Sequence, residues 1–194
     1  MRIIAGLAKG RTLSSVAGAT RPTSDRAREG LFSSLVSEFG DFVGIHFLDL
    51  FAGSGAIGLE ALSRGASVVH AVEKNESACK TISSNFDLVS KSKVAGAFHL
   101  YAMSAQRFAD GPPPTQYDIV YVDPPYDFSE AELLKCLVSL RAGGFLKMDA
   151  MVAVEKASKS ASLTWPNGYE SVRERGYGQA LIYYGKVVEL AQIL

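Results

Sequence analysis

Three short stretches carry residue types whose spacing could do chemistry. The most specific is Asp123-Pro124-Pro125-Tyr126. Two consecutive prolines fix φ and remove two backbone donors. The Pro124 carbonyl and the Asp123 carboxylate are then held out as acceptors, with the flat ring of Tyr126 beside them. Acceptors next to a stacking ring suit a planar substrate carrying an amino group, such as a nucleobase. The second stretch is Gly53, Gly55 and Gly58, which match G-x-G-x-x-G. Such a loop leads its backbone close to a ligand at a helix N-terminus. Asp49 stands four residues before the first glycine, where its carboxylate would repel a pyrophosphate and suit a cationic or amino-bearing ligand. The Walker pattern for nucleotide triphosphates is absent. The third is Glu73, 24 residues beyond Asp49, at the spacing from which an acidic side chain accepts hydrogen bonds from ribose hydroxyls.

These residues need a scaffold that brings them to one edge. Apolar runs at His46–Leu50, Val68–Glu73, Val94–Tyr101, Tyr117–Val122 and Met151–Glu155 predict strands. Helical spacing predicts helices over Ala56–Arg64, Asn75–Leu88 and Glu130–Leu140, with a helical turn near Ser104–Phe108. Strand and helix in alternation imply right-handed crossovers and a parallel sheet covered on both faces. Ligands bind such sheets beyond the carboxyl ends of the strands, where strand order reverses. Asp49, Glu73 and Asp123 all end predicted strands. Two flanking pieces complete the chain. Residues 2–5 and 10–14 read as a hairpin around Gly6 and Gly10, followed by a helix capped by Thr23 or Ser24 and running to about Glu38. Its apolar positions are Ala27, Leu31, Phe32, Leu35 and Val36. Tyr169–Arg175 and Ala180–Val187 read as a final hairpin, with Gly176, Tyr177 and Gly178 at its tip.

Composition narrows the class. The chain has 194 residues, 47% hydrophobic and 21% charged, which is the balance of a folded globular protein with a sizeable core. Cys79 and Cys136 are too few for a disulfide scaffold and lack zinc spacing, so no metal is expected. His46, His70 and His99 read as packing residues on apolar strands, and Trp165 likewise. The first twenty residues show no apolar leader and no run reaches membrane-span length, so a cytoplasmic address and a monomer are expected. Twenty basic residues balance twenty acidic ones, but unevenly. Residues 1–30 hold six basic side chains against two acidic, a net of +4; the rest hold 14 against 18, a net of −4. A basic stretch of this kind suits a phosphate backbone.

Asp123 to Tyr126 after the fourth strand, with Asp49-Leu50-Phe51-Ala52-Gly53-Ser54-Gly55 after the first, resembles the S-adenosylmethionine-dependent amino-methyltransferases. Arg21-Pro22-Thr23-Ser24-Asp25-Arg26-Ala27-Arg28-Glu29-Gly30-Leu31-Phe32 and the opening Arg2-Ile3-Ile4-Ala5-Gly6 resemble the RsmD family in particular. The similarity spans nearly the whole chain, with the three motif blocks in family order. It implies an α/β, Rossmann-like class I methyltransferase fold: a mostly parallel seven-stranded sheet with a terminal antiparallel hairpin. A basic, RNA-binding extension (residues 1–30) would precede a methyltransferase domain (residues 31–194). It also implies methylation of the exocyclic amine of one guanine in small-subunit (16S) ribosomal RNA, with S-adenosyl-L-methionine as cofactor and the RNA or the small subunit as partner. By the same resemblance Ala52 to Gly55 would hold the methionine part of the cofactor and Asp49 would sit near its ammonium. Glu73 would take the ribose, with Phe51, Lys74 and Ala105 around the cofactor. Asp123, Pro124, Pro125 and Tyr126 would hold the guanine, Tyr126 stacking on it. Arg2, Lys9, Arg11, Arg21, Thr23, Arg26 and Arg28 would grip RNA. Ser104 departs from the family, which commonly has Asp or Asn there for the adenine amine.

Other functions share parts of this pattern. A DNA adenine or protein-glutamine methyltransferase shares the proline motif. The basic stretch favours nucleic acid, and the lack of a separate base-reading domain disfavours DNA. A nicotinamide oxidoreductase shares the glycines but leaves Asp49 and Asp123 to Tyr126 unexplained. A non-catalytic ribosome-assembly factor is the remaining alternative, opposed by the intact Asp123 and glycine loop.

Overall fold

The computed structural model describes residues 1–16 and 24–189. Helices alternate with the first five strands. In chain order they are α1 (Asp25–Phe39), β1 (His46–Asp49), α2 (Ala56–Ser63), β2 (Val68–Glu73), α3 (Glu76–Ser90), β3 (Ala97–Ala102), α4 (Ala105–Ala109), β4 (Tyr117–Val122), α5 (Glu130–Ala142) and β5 (Leu146–Ala157). The hairpin β6 (Tyr169–Tyr177) and β7 (Ala180–Val187) follows. Among the described residues these form one seven-stranded sheet in the order β3-β2-β1-β4-β5-β7-β6. The first five strands pair in parallel and β7 is antiparallel to both β5 and β6. This is the Rossmann-like arrangement of class I methyltransferases.

Strands buried on both faces must be apolar at every position. β4 meets that demand from Ile119 onward: Ile119 and Tyr121 face one core cluster and Val120 and Val122 the other, while Asp118 before them accepts the His46 N–H and pairs with Lys147. On one side lie Leu31, Phe32 and Leu35 of α1, nearly all of α2, and Val89 of α3; on the other lie α4 and α5. Ser24 caps α1 by accepting the Ala27 N–H, and Ser129 caps α5 in a reciprocal box with Glu132. The β6–β7 hairpin is fastened to α1. Arg173 donates to the Ser34 carbonyl, Lys186 pairs with Glu38, and the Tyr177 ring lies where a Gly30 side chain would be.

The extension is docked on the body. Its first residues form the expected hairpin in a short version: Arg2 bridges Thr12 antiparallel, with the Ile3 N–H donating to the Arg11 carbonyl and the Leu13 N–H to the Met1 carbonyl. Ile3, Ala8 and Leu13 enter the same core cluster as Phe47. Gly6 adopts φ +79° so close to α2 that a Cβ would lie 1.8 Å from the Ser63 carbonyl. The helix α1 itself runs across residue 30.

Several expected elements move. β5 begins at Leu146, five residues early, because Tyr117 already pairs there; Asp149, at φ +63°, and a register shift absorb the polar interruption before Ile119 meets Met151. β3 begins at Ala97, since Gly96 is pressed against the Ala66 carbonyl and Lys93 turns the chain at φ +57°. Val36 is exposed rather than packed. The three histidines are not core residues. His99 is exposed, His46 reaches Thr115 and Gln116, and His70 meets the Tyr117 hydroxyl at 2.7 Å. Burial holds His70 down to about 4, so its ring is neutral near neutral pH. Trp165 packs on Tyr169 and against Gly185.

Candidate active site

Strand order reverses between β1 and β4, and the two chains leave the sheet side by side. Asp49 pairs with Tyr121, and the Leu50 N–H donates to the Tyr121 carbonyl at 3.0 Å. The glycine loop and the proline turn therefore face one crevice, at the carboxyl edge where such sheets bind ligands. Two rings join them: Phe51, just past β1, meets Phe128 edge-on with centroids 5.1 Å apart.

The proline turn closes through the Phe128 N–H, which donates to the Pro125 carbonyl at 2.9 Å. Asp123 and Pro124 are half-buried at its base. Tyr126 projects from it, 73% exposed. A large ring left in solvent at the rim of a crevice is available for stacking. Beneath the turn, the Tyr121 hydroxyl donates to Glu155 at the end of β5.

The glycine loop is held from behind and open in front. The Ala52 N–H donates to the Val72 carbonyl, and Gly55 N–H to the Ala52 carbonyl. Gly53, at φ +55°, would meet nothing within 4 Å with an added Cβ. A non-glycine residue would be strained there and would fill the open face. Glu73 stands at the end of β2 with one oxygen on the Gly53 N–H (2.9 Å) and the other on the Asn75 N–H (2.8 Å). It ties two strand-end loops together while both oxygens keep a lone pair for another donor. Lys74 beside it is exposed. Ser104 caps α4 by accepting the Arg107 N–H, which leaves its O–H to donate; Ala105 is buried behind it.

Asp49 is the unusual group. It is 1% exposed; Oδ2 accepts the Gly58 N–H at 3.0 Å, and Oδ1 has no hydrogen-bond partner among the described residues. Burial pushes its carboxyl up to about 7, opposed by the Gly58 N–H and aided by the nearby charge of Glu73. An incompletely satisfied buried carboxylate is costly unless a donor or cation meets it.

The extension divides. Arg2, Lys9, Arg11 and Arg26 are exposed. Arg21 and Thr23 lie outside the described residues. Arg28 corrects the expectation of a phosphate contact. It shares the buried face of α1 with Ala27 and Leu31, and it donates to Asp25 and to the Arg2 carbonyl, both at 2.7 Å. A guanidinium so enclosed links α1 to the extension and does not face a phosphate.

Sequence reasoning missed three polar residues that position the site. Glu60 of α2 accepts the Ile4 and Ala5 N–H groups and pairs with Arg64. Ser63 accepts the Ala8 N–H and donates to the Ala5 carbonyl. Asn85 of α3 joins Ser14 to Ser54. Glu60 and Ser63 form a polar i, i+3 pair on the otherwise apolar α2, and Asn85 is a lone polar residue on the buried face of α3, which is the signal the sequence offers. Among the described residues no group of three His, Cys, Asp or Glu side chains could hold a metal, and no helix is long and apolar enough to cross a membrane.

Known proteins with the same architecture carry related descriptions. "Ribosomal RNA small subunit methyltransferase D" of Escherichia coli K12 is 35% identical over 182 residues, 92% of this chain and 86% of that protein. "Putative rRNA methyltransferase YlbH" of Bacillus subtilis is 38% identical over 143 residues, 72% and 73% of the two chains. The solved structure of "putative methyltransferase yhhF" from Escherichia coli superposes with a TM-score of 0.82 at 32% identity, covering 96% of this chain and 97% of that one. The family model "Conserved hypothetical protein 95" matches residues 1–186. With its crevice between β1 and β4, its glycine loop and its proline turn, the chain belongs to that family, the RsmD family.

Proposed function

We propose that this protein transfers a methyl group from S-adenosyl-L-methionine to the exocyclic N2 amine of a guanine in 16S ribosomal RNA. The observation that carries the reading is the Asp123–Tyr126 turn, with Tyr126 exposed, leaving the sheet beside the strand that leads into an open glycine loop and ends in the buried, under-satisfied Asp49. The relatives' descriptions support ribosomal RNA as the substrate. The residues fit the cofactor. Asp49 Oδ1 suits an ammonium, the open face of Gly53 suits a ligand pressed on backbone, and Glu73 keeps acceptor capacity for ribose hydroxyls. Ser104 would donate to the adenine in place of an acidic or amide side chain.

S-adenosylmethionine, when bound, supplies an electrophilic methyl on a sulfonium. The protein's part is positioning. A guanine amine is a poor nucleophile because its lone pair is delocalised into the ring. Tyr126 stacks on the unstacked base, and the Pro124 carbonyl and Asp123 accept its N–H groups, localising the lone pair toward the methyl. Asp123 would orient the amine and could accept its proton once the methyl is on nitrogen. The exposed basic side chains of the extension, Arg2, Lys9, Arg11 and Arg26, with Arg21 and Thr23, hold RNA around the crevice.

The test is methyl transfer to small ribosomal subunits isolated from a strain lacking the enzyme, with the modified base mapped. A methyl on guanine N2 is expected. Asp123→Ala should cut transfer by roughly 10²- to 10⁴-fold while changing S-adenosylhomocysteine affinity little. No incorporation, or a methyl on adenine, refutes the assignment.

A further inference from the structure

Asn85 is 1% exposed, on the face of α3 that meets the rest of the molecule. Its Oδ1 accepts the Ser14 N–H at 2.8 Å. Its Nδ2 donates to the Ser14 carbonyl at 3.0 Å and to the Ser54 carbonyl at 2.9 Å. Both amide hydrogens are therefore used, and Ser14 is gripped by N–H and C=O together, as a neighbouring strand would grip it. Ser14 belongs to the basic extension. Ser54 lies in the glycine loop between Gly53 and Gly55. Ile82, three residues earlier on the same helix, stands against Gly55, 3.3 Å from where a Cβ would be. The helix thus supports the loop with one apolar and one polar side chain.

The extension is fastened elsewhere by other groups: Ile4 and Ala5 by Glu60, Ala8 by Ser63, and Arg11 by Ser92. Asn85 is where the extension and the cofactor loop meet one side chain. A buried amide bonded to both is a cooperative unit, since releasing one partner weakens the geometry of the rest.

We propose that Asn85 is a positioning residue that couples RNA binding on the extension to S-adenosylmethionine binding at the glycine loop, each ligand tightening the other. This rests on the reading above that those two surfaces take those two ligands. A ligand that orders Ser14 fixes the Asn85 amide, and the fixed amide holds Ser54. The second ligand then has less to order. The effect is reciprocal by thermodynamic necessity.

Equilibrium dialysis tests it. Tritiated S-adenosylhomocysteine is measured against the full chain alone and with saturating small ribosomal subunits from a strain lacking the enzyme. In the natural protein the subunits should tighten S-adenosylhomocysteine binding about fivefold or more. In Asn85→Ala the ratio should fall to about one. Ser14→Pro removes the arm's N–H while leaving Asn85 in place; it should abolish the same ratio, and it decides the matter if circular dichroism shows Asn85→Ala unfolded. A merely structural role would lower the melting temperature and weaken both ligands while preserving the ratio, and that result overturns the proposal. Equal affinities with and without subunits in the natural protein overturn the coupling and leave the methyltransferase reading intact. Failure of the natural protein to bind S-adenosylhomocysteine, or to bind subunits, overturns both.

Discussion

Asp49 and Arg28 carry opposite charges, are both enclosed and are both incompletely satisfied. Arg28 donates through Nη2 to Asp25 and to the Arg2 carbonyl, while its Nε and Nη1, like Asp49 Oδ1, have no hydrogen-bond partner among the described residues. The Asp49 carboxyl moves from 3.8 to about 7 on folding, chiefly by burial. A raised value means that protonation favours the fold. The contribution to stability is full below pH 3.8 and is lost as pH rises through about 7. A cation beside Oδ1 reverses the preference and needs the ionised form. The dissociation constant for S-adenosylhomocysteine, whose amino group is protonated in this range, should therefore fall roughly tenfold between about pH 6 and about pH 8. Asp49→Asn should bind more weakly with a flat profile. Calorimetric titration across that range checks it, and a pH-independent affinity in the natural protein contradicts the role.

At the scale of elements, the central scaffold was legible and the docking of its ends was not. β2 and β4 lie where their apolar runs predict, because strands buried on both faces declare themselves residue by residue. Ser24, Asn75 and Ser129 mark helix starts through local side-chain bonds that depend on few neighbours. β5 was underestimated because Lys147, Met148 and Asp149 read as a loop until Tyr117 is known to pair with Leu146. The proline turn and glycine loop could be placed at one edge from topology alone. The docking of the extension could not, since Glu60 finds Ile4 across 56 positions and Asn85 finds Ser14 across 71. Glu60 sits inside a helix otherwise wholly apolar in its interior, and its removal would leave two backbone N–H groups and Arg64 without their acceptor. Glu60→Ala should cost about 3–5 kcal/mol, read as a lower melting temperature, with Glu60→Gln milder. Trypsin should then cut at Lys9 or Arg11 faster than in the natural protein. Unchanged melting and unchanged cleavage would remove Glu60 from this role.

For the whole molecule, zero net charge conceals a division of labour. The net positive excess lies in residues 1–30, where Arg2, Lys9, Arg11 and Arg26 are exposed, while the acidic share of the rest includes the strand-end carboxylates Asp49, Glu73 and Asp123. Burial refines the count, since Arg28 contributes to the sum without facing solvent. Binding to ribosomal RNA should weaken linearly with log salt. Arg11→Ala or Arg26→Ala should shallow that slope by about 0.7 to 0.9 for each phosphate that is no longer neutralised. Arg28→Ala should leave the slope unchanged and lower the melting temperature instead. Filter binding across a salt series separates the two classes, and a slope change for Arg28→Ala equal to that for Arg11→Ala would refute the assignment.

The hairpin that fastens α1 also joins parts of the chain that are far apart in sequence. Arg173 reaches the Ser34 carbonyl from 139 positions away, and Lys186 reaches Glu38 from 148. The outer side of α1 is therefore secured only when segments 139 to 148 positions apart in the chain have met. Closing so long a loop costs chain entropy that grows only slowly with length, and such distant contacts form late in folding. The helix α1 is therefore held twice, on its inner side by the core contacts of Leu31, Phe32 and Leu35 and on its outer side by the β6–β7 hairpin.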